Sequence, residues 1–144
     1  MTLKEFYISL KAIDIQTIIE DAVWENKDYI VELNQSQLHQ GLTSKGTAIH
    51  PLYRSKTYAE YKASLSTYDA PNWTPDLFLT GAFYKSFGLE IGNGEYDIYS
   101  NDSKADDLTK KYADILGLTS ENLEKVKINV TNTFVNLLKE KLNI

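Results

Sequence analysis

The 144-residue chain has no cysteine, three prolines, two histidines and one methionine. Without cysteine it can form no disulfide, no thiolate nucleophile and no cysteine-based zinc site. No hydrophobic run approaches the ~18 residues that a transmembrane helix needs. The N-terminal residues, MTLKEFYISL, are also too polar for a signal peptide. We therefore expect a single intracellular domain, residues 1–144, with no membrane partner.

Positive charge is scarce and unevenly placed. The net charge of -5 argues against the whole chain being a nucleic-acid binder, because phosphate neutralisation dominates such affinity. Residues 44–62 nevertheless carry a net +3, whereas residues 90–107 carry a net -5. Ten tyrosines suit an assembled protein, since tyrosine is enriched at interfaces, and suit a tyrosine-rich monomer core equally well.

Motifs for metals and cofactors are missing. His39 and His50 are eleven residues apart and lack the H-x-x-x-H spacing of a zinc site. Asp102, Asp106 and Asp107 do not follow the calcium-loop pattern and are better interpreted as a solvated helix start. We therefore expect the protein to bind no metal and no cofactor and to have no enzymatic activity.

Phosphate-binding and carboxylate motifs are equally absent. The glycines of Thr80-Gly81 and Gly92-Asn93-Gly94 belong to turns, because no Walker or dinucleotide-binding spacing surrounds them. A carboxylate-based hydrolase could use any two glutamates, and the sequence selects no pair among Glu20, Glu25, Glu32 and Glu60.

The clearest structural signal is a β-hairpin over about residues 83–100. Asn93-Gly94 suits a two-residue type I′ turn, and the flanking residues alternate as strands do. This register sets one apolar face toward the core. On the other face it places Glu90 opposite Asp97, a mildly unfavourable like-charge pair. The predicted pairs on the core face are Ile91 with Tyr96, Leu89 with Ile98, and Phe87 with Ser100.

A long helix is predicted over about residues 14–38, with Asp14 as its N-cap and an apolar stripe on a 3.6-residue period. Asn26 lies within that stripe. We favour a continuous helix with a partnered, buried Asn26, because no glycine or proline is present; a break at Asn26 is the alternative. Residues 1–12 suit either a strand or a helical turn.

The middle of the chain, residues 41–75, is predicted to be an extended loop region with one short helix over about residues 56–65. A loop of this length is uncommon in a compact domain unless it has a function or rests on a partner. A second short helix is predicted over residues 104–113.

The C-terminal helix is predicted over residues 119–142, with Thr119 as its cap. Beside its main apolar stripe it carries a second apolar row of Ile128, Val135 and Leu142, spaced seven apart. A surface helix needs one stripe. The second row therefore indicates deep burial or contact with another subunit.

Together these elements predict an α+β fold in which a small antiparallel sheet, led by the hairpin, packs against long N- and C-terminal helices. A lone hairpin is marginal, so we expect a third strand. It would come from residues 1–12, from residues 47–53 or from a neighbouring chain.

The phrase Leu79-Thr80-Gly81-x-Phe83-x-x-Ser86-Phe87, the following hairpin and Leu116-Gly117-Leu118-Thr119 before the last helix resemble the tail-completion, neck and virion-morphogenesis proteins of tailed bacteriophages and prophages. The phrase Asn34-Gln35-Ser36-Gln37-Leu38-x-x-Gly41 also resembles uncharacterised prophage proteins. The chain lacks the aromatic-glutamate-x-glycine-threonine phrase and the basic proline-rich loop that are common in the family.

The resemblance implies a structural virion protein of the neck or tail, a head–tail connector or tail-completion (terminator) protein. It implies assembly as a ring with copies of itself and neighbouring phage proteins, after synthesis in the bacterial cytoplasm. DNA would pass through the lumen without specific binding. A hydrolase and a nucleic-acid-binding module built on residues 45–62 are the alternatives.

Ring contacts join two different surfaces of neighbouring subunits. We therefore predict that the basic segment of one subunit meets the acidic hairpin face of the next, with the second apolar row of the last helix also at the interface. The predicted interface residues are Lys45, Arg54, Lys56, Glu90, Asp97, Ile128, Val135 and Leu142.

Overall fold

A computed structural model describes residues 1–144 and shows an α+β fold of seven helices and one two-stranded antiparallel sheet. None of the helices combines the length and the hydrophobicity that a bilayer crossing requires. The elements in chain order are α1 (Leu3–Lys11), α2 (Ile15–Glu25), α3 (Lys27–His39), α4 (Lys56–Ser64), α5 (Ala82–Lys85), β1 (Phe87–Gly92), β2 (Glu95–Ser100), α6 (Ala105–Lys111) and α7 (Ser120–Leu142).

The hairpin forms in the predicted register. Leu89 pairs with Ile98 and Glu90 with Asp97. The turn residues Asn93 and Gly94 have φ values of 53° and 77°, the left-handed conformation that a type I′ turn requires. Leu89 is buried on the inner face, which packs against α2 and α3.

The sheet has no third strand within the chain, so that prediction is wrong for both internal candidates. Residues 3–11 form α1, and the 47–53 region contributes only an isolated bridge between Leu42 and Ala48. Helices instead cover the inner face of the hairpin and bury its apolar side chains.

The first strand also starts later than predicted. Gly81, with a φ of 85°, begins the short helix α5, and the Lys85 N–H donates to the Gly81 carbonyl at 3.0 Å. This turn buries Phe83 and Tyr84, which a strand from residue 83 would have placed on opposite faces.

The predicted continuous helix over 14–38 is broken at Asn26. This residue has φ -95° and ψ 11° and separates α2 from α3. Its side-chain amide is half-buried and does have partners, donating to the Ala22 carbonyl at 2.8 Å and to Thr133 Oγ1 of α7 at 2.9 Å. The amide therefore stabilises the break by joining it to the C-terminal helix.

Side-chain caps fix the starts of the other long helices. Asp14 accepts from the Thr17 N–H at 3.3 Å, and Thr119 accepts from the Asn122 N–H at 3.2 Å, as the sequence predicts. Thr2 and Glu5 form a capping box that defines the start of α1.

Two apolar clusters form the interior. The first, which we call the hairpin core, joins α2, α3, β1 and α7. The second, which we call the loop core, joins the end of α3 to Ile49, to α5 and to the residues that follow α6. The hairpin core is Val23, Ile30, Leu89, Leu118 and Val126; the loop core is Leu38, Ile49, Phe83, Tyr84, Tyr112 and Ile115.

Candidate functional site

The three predicted basic interface residues are all exposed, but they differ in their surroundings. Lys45 Nζ lies 3.3 Å from Asp114 Oδ2 of the same chain, and Lys56 Nζ lies 3.8 Å from Glu60 Oε1. Arg54 makes no intramolecular ion pair. Together with Lys111 it lines a cavity that Lys45 does not border. Arg54 is therefore the predicted cation whose charge is least satisfied within the chain.

The acidic residues Glu90 and Asp97 lie opposite each other on the exposed face of the hairpin. On the same face the Tyr99 ring covers Gly88, where a Cβ would approach the Tyr99 ring to 2.6 Å. No cation of the chain forms an ion pair with either carboxylate.

The second apolar row of α7 is only partly exposed. The side chains of Ile128 and Val135 are 59% and 40% exposed, whereas Leu142 is 4% exposed. The prediction that Leu142 is available to another subunit is therefore wrong. The cause is the N-terminal helix pair: α1 and α2 pack on α7, and Lys141 borders the same cavity as Ile13.

The charged site that sequence reasoning missed is a buried ion pair between α4 and the loop that precedes α5. Lys62 Nζ lies 2.7 Å from Asp76 Oδ1, and both side chains are almost completely buried. Lys62 also donates to the Phe78 carbonyl, and the Phe78 N–H donates to Asp76 Oδ1 at 3.1 Å. The pair thus fastens the 65–81 segment to α4.

Tyrosines surround this pair. Tyr84 donates its hydroxyl to the Asp76 carbonyl, and the Tyr68 ring lies 5.5 Å from Lys62 Nζ. Burial, followed by the nearby Asp76 carboxylate, raises the pKa of Tyr53, Tyr68 and Tyr84 above the ordinary value of 10.0. Their hydroxyls are protonated at neutral pH, as those of ordinary tyrosines are, and the raised pKa keeps them protonated further into the alkaline range.

Sequence offered one weak signal for this site. Lys62 lies three residues after the buried Ala59, on the same face of α4. No corresponding signal marked Asp76, which lies in an irregular segment where periodicity gives no information.

Two concave surfaces flank Tyr53, Tyr58 and Tyr112. One has a volume of about 490 Å³ and is also lined by Arg54 and Lys111. The other, of about 320 Å³, is lined by the same three tyrosines and reaches Lys62, Lys104, Phe78 and Leu79.

A polar contact joins two of the phrases that carry the phage resemblance. Asn34 donates to the Ile115 carbonyl at 3.0 Å and accepts from the Gly117 N–H at 2.8 Å. Gln37 donates to the Gly117 carbonyl at 3.0 Å and accepts from the Thr119 N–H at 2.8 Å. The residue types of both phrases are thus explained by one buried interaction between α3 and the α6–α7 connection.

The third phrase also contacts α3. Gln35 donates to the Tyr84 carbonyl at 2.9 Å, and Ser86 Oγ lies 2.5 Å from Ser100 Oγ at the base of the hairpin. The order of phrases along the chain therefore corresponds to one connected structural unit around α3.

No group of three or more histidine or acidic side chains is arranged to hold a metal ion. His39 packs against Phe78 and Tyr84, with ring centroids 5.0 and 4.7 Å away, and His50 Nδ1 lies 2.8 Å from the Ala48 carbonyl. Both histidines have structural surroundings in this fold.

Comparison of the chain with protein families, with curated proteins and with solved structures finds no match.

Proposed function

We propose that this protein is a structural component of a tailed-phage virion, placed in the neck or tail, and that it acts by assembling with copies of itself and with neighbouring virion proteins. The proposal rests on the resemblance of three sequence phrases and on the surface described next. It gives the protein no catalytic role.

The observation that carries the proposal is the apolar surface of the N-terminal helices. None of the nine residues of α1 is buried, and this helix packs on α7 with much of its apolar side open. Exposed apolar patches of this kind mark interaction sites in soluble proteins. The large side chains that are at least 45% exposed on α1 and α2 are Leu3, Tyr7, Ile8, Leu10, Ile15, Ile19 and Trp24.

Charge supports a contact between unlike surfaces. Glu90 and Asp97 repel each other on the open hairpin face and have no cation from their own chain. Arg54 has no anion from its own chain. A head-to-tail contact would satisfy both sets at once, and its repetition closes into a ring when the rotation permits.

The test is the oligomeric state of the purified chain, measured by light scattering, native mass spectrometry and negative-stain electron microscopy. The wild type should form a ring, either alone or with its neighbouring virion proteins. Glu90→Lys with Asp97→Lys should weaken assembly while leaving the circular dichroism spectrum and the urea midpoint unchanged.

A matched control uses Glu32→Lys with Asp69→Lys, which changes the net charge equally at exposed positions on α3 and in the 65–81 segment. This control should assemble normally. A chain that stays monomeric with all neighbours and is absent from purified particles would contradict the proposed function. Equal assembly of the hairpin variant and the control would contradict the charge contact alone.

A further inference from the structure

The two concave surfaces described above share one wall, formed by Tyr53, Tyr58 and Tyr112, which we call the tyrosine wall. Tyr53 and Tyr58 meet edge to face with ring centroids 5.0 Å apart. Tyr61 continues the row, 6.2 Å from Tyr58. Tyr58 and Tyr61 are 40% and 50% exposed, so aromatic surface is open to a ligand.

The charged side chains that line the two cavities are all cations, although Lys62 among them is buried and paired with Asp76. Arg54 and Lys111 line the first cavity, Lys62 and Lys104 line the second, and no acidic side chain lines either. In a chain with a net charge of -5, this concentration of cations departs from the average surface. Neither Arg54 nor Lys104 is neutralised by an ion pair.

Hydrogen-bond donors add to the cations. The hydroxyls of Tyr53 and Tyr58 are neutral donors at pH 7, as those of ordinary tyrosines are, and burial, then the Asp76 carboxylate, raises the pKa of both further. Lys111 Nζ also lies 5.2 Å from the centroid of the Tyr112 ring, which holds this cation at the edge of the first cavity.

We propose that the tyrosine wall binds a nucleotide unit, with its phosphate near Arg54 and Lys111 and its base stacked on Tyr58. A nucleotide combines an anion with a flat aromatic face, and the wall offers cations beside exposed aromatic rings. Such pairing of a basic groove with stacking side chains is how proteins bind single strands without sequence preference. The nucleotide comes either free or as part of a single-stranded nucleic acid. The inference does not depend on a place in a virion, and it concerns the free chain, because the acids of a neighbouring subunit would compete with the phosphate for Arg54.

The experiment measures fluorescence anisotropy of a short fluorescein-labelled oligothymidylate at low ionic strength, with AMP tested by calorimetry. Arg54→Ala with Lys111→Ala should weaken strand binding by about 10-fold or more. The slope of log affinity against log salt should fall by about 0.7 for each phosphate that the variant no longer neutralises. Lys125→Ala with Lys127→Ala, a matched change on α7, should leave binding unchanged.

The tyrosine contribution is separated by two substitutions at one position. Tyr58→Ala should weaken binding by about 10-fold, because base stacking is removed, whereas Tyr58→Phe should retain it. Circular dichroism and urea midpoints establish that each variant is folded, and Arg54 and Lys111, both exposed, provide the test if Tyr58→Ala is not.

Tighter binding of the strand than of AMP identifies a single strand as the source, and equal affinity per site identifies the free nucleotide. Both results support the proposal if the double substitution of Arg54 and Lys111 weakens the binding by about 10-fold or more. Absence of binding to either probe at low ionic strength overturns it. So does binding that the wall variants and the α7 control reduce equally.

Discussion

The hairpin core and the loop core are held together in different ways. Around the hairpin core, α2, α3 and α7 pack apolar stripes against one face of a hairpin, and the buried residues are aliphatic. Around the loop core, the 41–81 segment has little regular structure. A buried ion pair and tyrosine hydroxyls fix it, in addition to apolar packing.

This difference separates two kinds of stability. Apolar packing depends on shape and tolerates small changes in volume. A buried polar interaction depends on each partner being present, because removing one leaves the other desolvated and uncompensated. The segment around the loop core should therefore be more sensitive to single polar substitutions than the elements around the hairpin core, although it has less secondary structure.

The largest effect should come from Asp76→Ala. It leaves the Lys62 ammonium buried without its carboxylate, which costs about 3–5 kcal/mol of unfolding free energy. Urea denaturation followed by circular dichroism measures the change, and Glu60→Ala, which breaks only the exposed pair with Lys56, should cause none that is measurable.

The double variant Lys62→Met with Asp76→Leu tests whether the cost comes from the orphaned charge. It should recover much of the stability that Asp76→Ala loses. Hydrogen exchange locates the effect: amides of α4 should lose more protection than amides of α7. Equal loss in both helices would mean that the two cores form one cooperative unit and would remove the distinction drawn above.

Asn34→Ala should have the next largest effect. It removes the partners of the Ile115 carbonyl and the Gly117 N–H, and buried unsatisfied groups of this kind cost about 1–3 kcal/mol. Asn132→Ala, at an exposed position of α7, is the control and should stay within about 0.5 kcal/mol of the wild type in the same urea titration.

Alkaline pH should also destabilise the part of the chain around the loop core before the part around the hairpin core. An unfolded tyrosine ionises near pH 10, whereas burial and Asp76 raise the pKa of Tyr84 in the folded state. The unfolded state therefore binds fewer protons above pH 10. Stability is fully present below that pH and falls above it, by up to about 1.4 kcal/mol per pH unit for each such tyrosine.

Tyr84→Phe should make this decline shallower, which urea midpoints measured at several alkaline pH values would reveal. Tyr96→Phe is the comparison at the hairpin core, where burial alone raises the pKa of Tyr96. If Tyr84→Phe leaves the slope of stability against pH unchanged, the interpretation of Tyr84 is wrong.

The smallest loss of stability should be the same at the hairpin core and at the loop core. Ile30 of the hairpin core and Ile49 of the loop core are both 0% exposed. Ile→Val at either position removes one methylene and should cost about 0.5–1.5 kcal/mol in urea denaturation. If Ile49→Val left the urea midpoint unchanged, apolar packing would matter less in the loop core than we infer.

The same division explains what the sequence could predict. Period-2 alternation and Asn93-Gly94 determine the hairpin register, and the caps Asp14 and Thr119 mark helix starts, so these predictions are confirmed. The sequence favours the wrong alternative at Asn26, where the side-chain amide donates to Thr133, 107 residues away along the chain, as well as to the Ala22 carbonyl. Local patterns carry no information about such a partner.

The candidate site is less predictable than the fold. The sequence indicates that residues 44–62 are basic and rich in tyrosine, but Lys111, Lys104 and Tyr112 come from α6 and its surroundings and join that segment only in three dimensions. Apart from its three-residue spacing from Ala59, nothing in the sequence separates Lys62 from the surface charges, whereas the structure buries it against Asp76. The seven-residue spacing of the second apolar row leaves deep burial and a subunit contact both open, and the structure buries Leu142 on the helix against which α1 and α2 pack.

The break at Asn26 also has a mechanical consequence. α2 contributes to the hairpin core alone, whereas α3 reaches both cores through Ile30 and Leu38. A rigid continuous helix would transmit any tilt of α1 and α2 directly into the loop core. Because the backbone is interrupted and the Asn26 amide is joined to α7, we expect a displacement of α2 to be shared with α7 rather than passed along one helix to the loop core.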